Sequence, residues 1–191
     1  LAEPADLEQF AEIVNHYIET TAINFHDRPQ SEEDWEATWE VLHERYADRL
    51  RHPASLTKLM TLYLAFEDIR AGEAGLGDRL RVSERAAAQA PVDIGLQEGD
   101  TIRMLDALKA IIVRSANDAA VVVAERLEGD EARFATRMTE TARALGMTRT
   151  RFVNASGLPD PEQVSTARDL AKLAQALRED FPEYYAMFEV R

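Results

Sequence analysis

The sequence predicts a mainly α-helical protein, and three observations lead to that prediction. Apolar residues recur at spacings of three and four positions along most of the 191 residues. Residues that favour helix N-termini, such as Ser83 and Asp130, stand directly before apolar runs, and glycine or proline often follows those runs. Runs of alternating polarity, which indicate strands, are short and few. We therefore expect packed helices with at most a short β-hairpin.

The first 46 residues predict two helices with a short strand between them. A helix from about Ala5 to Thr20 is indicated by apolar residues at helical spacing, namely Leu7, Phe10, Ile13, Val14, Tyr17 and Ile18. Residues 21–25 fit a short strand. The tetrapeptide Ser31-Glu32-Glu33-Asp34 has the spacing of a capping box, and it begins a second helix that extends to about Tyr46.

Charge indicates a boundary at the end of this segment. Residues 1–46 hold twelve acidic and two basic side chains, a net charge of −10, whereas residues 47–191 have a net charge of −3. We therefore predict an N-terminal helical arm, residues 1–46, and a second unit, residues 47–191. The arm is expected to attach loosely, because it has no sheet of its own against which to dock.

An apolar helix that begins around Ser55 is predicted to lie at the centre of the second unit. Ser55 follows Pro53 closely, and residues 59–66 are apolar almost all the way round a helix. Such a helix belongs in the middle of a domain rather than on its surface. In the first turn, free backbone N–H groups would lie close to the Ser55 hydroxyl.

The remaining elements follow from capping residues and apolar spacing. In order, we predict a short strand at 80–82, a short helix at 83–88, a helix capped by Thr101 that extends through Ile112, a helix led by Asn117 and Asp118 that extends to Leu127, a helix capped by Asp130 and ended by Gly146, a turn-rich connection at 152–159, a helix begun by Ser165 or Thr166, and a final helix begun by Pro182.

Composition excludes several classes of function. The net charge of −13 argues against a nucleic-acid surface, and no apolar run approaches the ~20 residues of a transmembrane helix. The absence of cysteine excludes disulfides and thiolate chemistry, and His16, His26 and His43 are too scattered to indicate a metal site. We therefore expect no metal or cofactor. The chain begins at Leu1 without a visible signal peptide, which suggests that it was processed or cut from a longer protein.

Ser55 and Lys58 form the first candidate catalytic pair. Residues at i and i+3 lie on one face of a helix, so the lysine amine can stand beside the serine hydroxyl as its base. A serine at this position is also a common helix cap, and one Ser-x-x-Lys arises by chance in roughly one such chain in ten. The motif is therefore weak when it stands alone.

Ser115 and Asn117 supply the second motif. A second hydroxyl near Lys58 can pass a proton to a leaving amine, while an asparagine side chain can hold a substrate amide. Both motifs occur by accident, in this order, in only ~1% of such chains. Ser-x-x-Lys, a serine–asparagine triplet and Lys-Thr-Gly together form the motif set of penicillin-binding proteins and β-lactamases.

Residues from about 48 to 188 closely resemble the serine-type D-alanyl-D-alanine carboxypeptidases, the low-molecular-mass penicillin-binding proteins of peptidase family S11. The matching stretches are His52-Pro53-Ala54-Ser55-Leu56-Thr57-Lys58-Leu59-Met60-Thr61, Ser115-Ala116-Asn117-Asp118-Ala119 and Phe152-Val153-Asn154-Ala155-Ser156-Gly157-Leu158. In the family the middle triplet is usually Ser-Gly-Asn. The resemblance implies the helical lobe of the β-lactamase/DD-peptidase-like fold, with most of its β-sheet missing.

The resemblance also implies roles and partners. Ser55 would be the acylated nucleophile, Lys58 its base, Ser115 the proton relay and Asn117 an anchor for the substrate and the lysine. The family acts without a metal on peptidoglycan stem peptides that end in D-Ala-D-Ala, in the periplasm, and β-lactams are its covalent inhibitors.

One departure from the family predicts impaired catalysis. None of the three lysines is followed by Thr-Gly or Ser-Gly, so the third motif, which binds the substrate carboxylate and supplies an oxyanion N–H, is absent from these residues. Loss of one oxyanion donor costs ~10²–10³ in rate. We therefore expect a peptidase lineage that is inactive or impaired in this chain.

The N-terminal arm resembles a different family. The run from Ile13 to Phe25, together with Glu33-Asp34-Trp35 and Glu44-Arg45-Tyr46, is similar to the N-terminus of phosphinothricin-type GNAT acetyltransferases. The pyrophosphate-binding loop of that family has no clear counterpart after Tyr46. The sequence therefore indicates a chimera, and it leaves two alternative functions open, a GNAT-type N-acetyltransferase fragment and a noncatalytic helical interaction module.

Overall fold

Residues 45–188 are those that the structure, a computed structural model, describes. Nine elements follow one another along them: α1 (Lys58–Ala71), β1 (Arg79–Arg81), α2 (Glu84–Ala87), β2 (Thr101–Arg103), α3 (Met104–Arg114), α4 (Asn117–Glu128), α5 (Glu131–Ala144), α6 (Ala167–Asp180) and α7 (Pro182–Tyr185). Single 3₁₀ turns, Ala54–Thr57 and Ala186–Phe188, precede α1 and follow α7. The mainly α prediction is confirmed. The helices and strand predicted in the N-terminal arm lie outside the described residues.

Helix α1 lies at the centre of the described residues, as its apolar sequence predicts. Met60, Leu64 and Phe66 are fully buried, and the helix ends where Gly72 adopts a left-handed conformation with φ of 79°. Helix α4 packs against α1 and is buried through its first eight residues. Because both helices begin next to candidate catalytic residues, the most buried part of the fold also positions the site.

The two strands form an antiparallel pair in which Leu80 is paired with Ile102 and faces the core. The prediction that Thr101 caps a helix is wrong, because Thr101 lies in β2 opposite Arg81. Helix α3 begins three residues later, at Met104. The amide of Met104 donates to the Asp78 carbonyl, so backbone from the turn before β1 satisfies this helix N-terminus without a side-chain cap.

Three predicted helix starts are confirmed by their capping bonds. The Ser83 hydroxyl accepts from the amide of Ala86 at the start of α2, and the Asp130 carboxylate accepts from the amide of Arg133 at the start of α5. Of the two candidates at α6, Thr166 is the cap. Its neighbour Ser165 forms an isolated antiparallel bridge with residue 51 instead. No helix of residues 45–188 is long and apolar enough to span a bilayer.

Candidate active site

Ser55 lies on the 3₁₀ turn that runs directly into α1. Ala54, the residue before it, has a φ of 46°, which is in the left-handed region that residues with a Cβ rarely adopt. This conformation turns the chain sharply directly after Pro53, and the Ser55 side chain remains exposed. An exposed hydroxyl on a turn fixed to a buried helix is accessible to a ligand and well held.

Lys58 is the first residue of α1, and it is buried beside that serine. Only 3% of its surface is exposed, and its Nζ lies 3.4 Å from the Ser55 Oγ. The same amine donates a 2.6 Å hydrogen bond to the Ser156 carbonyl. Burial disfavours the charged form and lowers the pKa of Lys58 to about 8. A substantial fraction of the amine is therefore neutral at mildly alkaline pH and can accept a proton.

The second motif lies at the junction of α3 and α4. Ser115 follows the last residue of α3 with a φ of 53°, again in the left-handed region, and its side chain is half-buried. Asn117 is the first residue of α4 and is buried. Its backbone N–H donates to the Val92 carbonyl at 2.7 Å. Within the described part of the chain, Lys58 makes no hydrogen bond to either residue. The structure thus pairs Ser55 with Lys58, while Ser115 and Asn117 stand on the neighbouring helix junction.

A loop distant in sequence completes the surroundings of Lys58, and no catalytic role was predicted for its residues. Ser156 stands 98 residues after the lysine that it contacts. Gly157 has a φ of 88°, and a Cβ at this position would overlap the Ala54 carbonyl. The Asn154 side chain accepts the Gly157 amide at 2.7 Å and holds the turn. The Asn-Ala-Ser-Gly string, which carried part of the family resemblance, was the one available signal.

Asp118 holds a second loop against the start of α4. Its carboxylate is almost fully buried and accepts the amides of Ile94 at 3.0 Å, Leu96 at 3.1 Å and Ala119 at 2.8 Å. Because Asn117 bonds to Val92 in the same loop, two successive residues of α4 fix its course. The loop therefore forms a fixed border of the site beside the second motif.

Among residues 45–188, no three histidine or acidic side chains are grouped so that they could hold a metal ion. The chemistry that the site itself offers is a serine hydroxyl next to a partly neutral amine. That arrangement is typical of serine hydrolases in which a lysine is the base. The fold and the pair together therefore define a serine hydrolase scaffold of the serine–lysine class.

Comparison with known proteins identifies the family. The profile of the D-alanyl-D-alanine carboxypeptidases, peptidase S11, matches residues 36–191. The chain belongs to this family. It is 38% identical over 157 residues to the D-alanyl-D-alanine carboxypeptidase DacC of Escherichia coli, covering 79% of this chain and 39% of that protein. It is 36% identical over 140 residues to DacF of Bacillus subtilis, covering 73% of this chain and 36% of that relative. The chain thus spans about two fifths of the length of these relatives.

Solved structures agree with the predicted fold class. The structure superposes on the D-alanyl-D-alanine carboxypeptidase DacD of Francisella tularensis with a TM-score of 0.76 at 35% identity, covering 78% of this chain and 36% of that one. Penicillin-binding protein D2 of Listeria monocytogenes, in its ampicillin-bound form, gives a TM-score of 0.67 at 35% identity, covering 75% of this chain and 58% of that one. The prediction of the helical lobe of a DD-peptidase-like fold is confirmed.

Proposed function

We propose that this chain carries the acylating half of a D-alanyl-D-alanine carboxypeptidase, with Ser55 as nucleophile and Lys58 as its base. The observation that carries the proposal is the buried amine of Lys58, with a pKa of about 8, at 3.4 Å from an exposed serine hydroxyl. Neutral lysine can take the hydroxyl proton as the oxygen attacks a carbonyl carbon. Family membership supports the same chemistry.

The reaction runs in two steps. The Ser55 oxygen attacks the carbonyl of the penultimate D-alanine, Lys58 takes the hydroxyl proton, and the backbone N–H of Ser55 stabilises the oxyanion. As the C–N bond breaks, Ser115 relays this proton from Lys58 to the amine of the departing D-alanine, while Asn117 holds the peptide amide. Water then attacks the acyl carbon and loses a proton to Lys58. As the bond from the acyl carbon to the Ser55 oxygen breaks, that oxygen regains a proton and the hydroxyl is restored. Each step uses groups of the protein itself, so the proposed mechanism requires no metal or cofactor.

The proposed substrate is a peptidoglycan stem peptide that ends in D-Ala-D-Ala, and β-lactams are proposed as covalent inhibitors. The ampicillin-bound structure of the Listeria relative supports the second part. We propose the periplasm as its site of action, because a peptidoglycan substrate lies outside the cytoplasmic membrane. We further propose that residues 47–191 are the peptidase unit and that residues 1–46, of which only the last eleven fall within the family match, form a separate segment of different origin.

Acylation and turnover are proposed to separate in this chain. The groups needed for acylation lie between Ser55 and Ser156, whereas no lysine of the 191 residues is followed by Thr-Gly or Ser-Gly. Without that motif the terminal carboxylate of a peptide lacks its partner. A β-lactam depends less on that partner, because its strained ring lowers the barrier to attack.

Mass spectrometry tests the proposal directly. After incubation with benzylpenicillin, the intact chain should gain the mass of one inhibitor, and peptide mapping should place the adduct on Ser55. In parallel, release of D-alanine from a D-Ala-D-Ala peptide should be undetectable. Absence of any adduct, or an adduct that persists in Ser55→Ala, would remove the catalytic assignment. Release of D-alanine at an ordinary enzymatic rate, on the order of 1–10³ s⁻¹, would show that turnover is not impaired.

A further inference from the structure

Gln163 joins the nucleophile turn to the loop that contacts Lys58. Its side chain is 2% exposed, and its Oε1 accepts the amides of Val153 at 2.9 Å and Asn154 at 3.0 Å. Its Nε2 donates to the Asn154 Oδ1 at 3.0 Å and to the Thr57 Oγ1 at 3.4 Å. Both donors and both acceptor positions of this amide are thus occupied. One end of the network is the residue directly before Lys58, and the other is the loop that ends in Ser156.

The backbone of Gln163 extends this link to the other side of the nucleophile. Its carbonyl lies 2.8 Å from the Nδ1 of His52, three residues before Ser55. The segment that carries the nucleophile is therefore bonded to Gln163 both before and after the serine. A carbonyl oxygen can only accept, so the His52 Nδ1–H is the donor of this bond.

The Ser156 carbonyl has to be held by its own loop if it is to hold Lys58. Neighbouring bonds help, since the Ala155 carbonyl accepts from the Thr61 hydroxyl at 2.7 Å and the Ala155 amide donates to the Glu131 carboxylate at 3.0 Å. Those bonds fix Ala155 to α1 and α5. The two residues before Ala155 are fixed by Gln163, through the amides that its Oε1 accepts. Without Gln163, two part-buried amides lose their acceptor, and the loop can move away from Lys58.

We propose that Gln163 is a positioning residue for the serine–lysine pair: it holds the 153–156 loop closed over Lys58, and thereby keeps the Lys58 amine shielded from water and beside Ser55. The proposal rests on the proposed role of Lys58 as base. The hydrogen bonds of the Gln163 side chain go to residues 57, 153 and 154, so its effect on the reaction is transmitted through the Ser156 carbonyl.

The protonation of Lys58 reports whether the loop is closed. Burial alone lowers the pKa of this lysine, and no charged side chain of the described residues bonds to its amine. If the loop opens, water solvates the ammonium form and the pKa rises toward that of an ordinary lysine. The chain has three lysines, Lys58, Lys109 and Lys172, so the ¹³Cε signals of a lysine-labelled sample can be assigned by single substitutions.

The experiment is a pH titration of lysine ¹³Cε shifts in the full chain, for the wild type, Gln163→Met and the matched control Thr150→Val. The control also removes buried hydrogen bonds, those of Thr150 to Asp169 and Ser165, but none of them reaches residues 153–156 or Lys58. We expect the Lys58 midpoint near 8 in the wild type and in the control, and at least one pH unit higher in Gln163→Met. Gln163→Asn, whose shorter amide cannot reach both loop amides, should shift it in the same direction if the methionine variant fails to fold.

The outcomes separate this proposal from the proposed function. An unchanged Lys58 midpoint in a folded Gln163 variant, or an equal shift in Thr150→Val, would overturn the positioning role. A wild-type midpoint near that of an ordinary lysine would overturn it as well, because the loop would then shield nothing. If the midpoint shifts as expected but benzylpenicillin never acylates the wild-type chain, Gln163 does hold the loop over Lys58 and it is the proposed function that fails.

Discussion

At the scale of single residues, the candidate site combines a buried amine with two residues in unfavourable backbone conformations. Ala54 and Ser115 both have positive φ although neither is glycine, and each stands directly before or within a proposed catalytic motif. Such conformations cost on the order of 1–3 kcal/mol each and persist only where the surroundings enforce them. At Ala54 the surroundings include the backbone of Gly157, which lies against its carbonyl.

Gly157→Ala tests that close approach. The new Cβ would overlap the Ala54 carbonyl, and alanine would also have to adopt a φ of 88°. We expect a loss of at least about 2 kcal/mol in the free energy of unfolding, from backbone strain of roughly 1–2 kcal/mol plus the overlap. Urea denaturation measures this loss, and β-lactam acylation should fall with it, because the turn that carries Ser55 has to move.

Gly77→Ala is the matched control. Its backbone is compatible with alanine, and no atom lies within 4 Å of the added Cβ. This change should leave stability unchanged or raise it by about 0.4–1 kcal/mol. If both variants lose equally little stability, the result contradicts the close packing of residue 157 on the nucleophile turn that the structure shows.

At the scale of elements, features set by residues close together in sequence could be predicted, and features set by contacts between distant residues could not. Ser83, Asp130 and Thr166 cap helices through bonds to amides three residues on, which a sequence pattern captures. The proximity of Ser55 and Lys58 is likewise set by helical spacing. Thr101 was assigned wrongly because a partner strand 20 residues earlier competes with helix formation. The contact of Lys58 with Ser156 spans 98 residues, and no local pattern encodes it.

Asp118→Ala tests the loop that borders the second motif. The variant leaves the amides of Ile94 and Leu96 without their carboxylate acceptor, and a hydrogen bond to a charged group is worth roughly 1.5–3 kcal/mol. We expect the loop to become the earliest site of limited proteolysis, with cleavage mapped by mass spectrometry to residues 91–97. Asp93→Ala, which removes an exposed carboxylate from the same loop, should leave the cleavage pattern as in the wild type. Equal cleavage in the two variants would contradict the assigned role of Asp118.

At the scale of the whole molecule, an ionic network joins three of the described helices, α1, α4 and α5. Arg137 of α5 bonds to Glu67 and Asp68 of α1 and to Glu128 of α4. Hydrogen bonds to Asp68 are the largest cause that raises the pKa of this guanidinium further above its usual range. Because α1 and α4 carry Lys58 and Asn117, the network fixes the relative position of the two motifs.

Arg137→Met should destabilise the protein by about 1–3 kcal/mol, because the nearly buried Asp68 loses its charged partner. Thermal and urea unfolding measure the change. The control is Arg103→Met, which removes an exposed, solvent-screened pair with Asp106 and should cost much less. A loss in Arg137→Met no larger than in the control would mean that the network does not hold the three helices together.

The central claim, that neutral Lys58 activates Ser55, is tested most directly by the pH dependence of acylation by a fluorescent penicillin. The amine acts as base only when unprotonated, so with a pKa of about 8 the second-order rate constant should rise about tenfold per pH unit from 6 to 7, then level off above 8. Lys58→Ala should lose nearly all labelling, and Ser165→Ala, whose hydroxyl bonds Thr150 instead of Lys58, should keep the wild-type profile. A rate independent of pH over this range, or labelling retained in Lys58→Ala, would contradict the account.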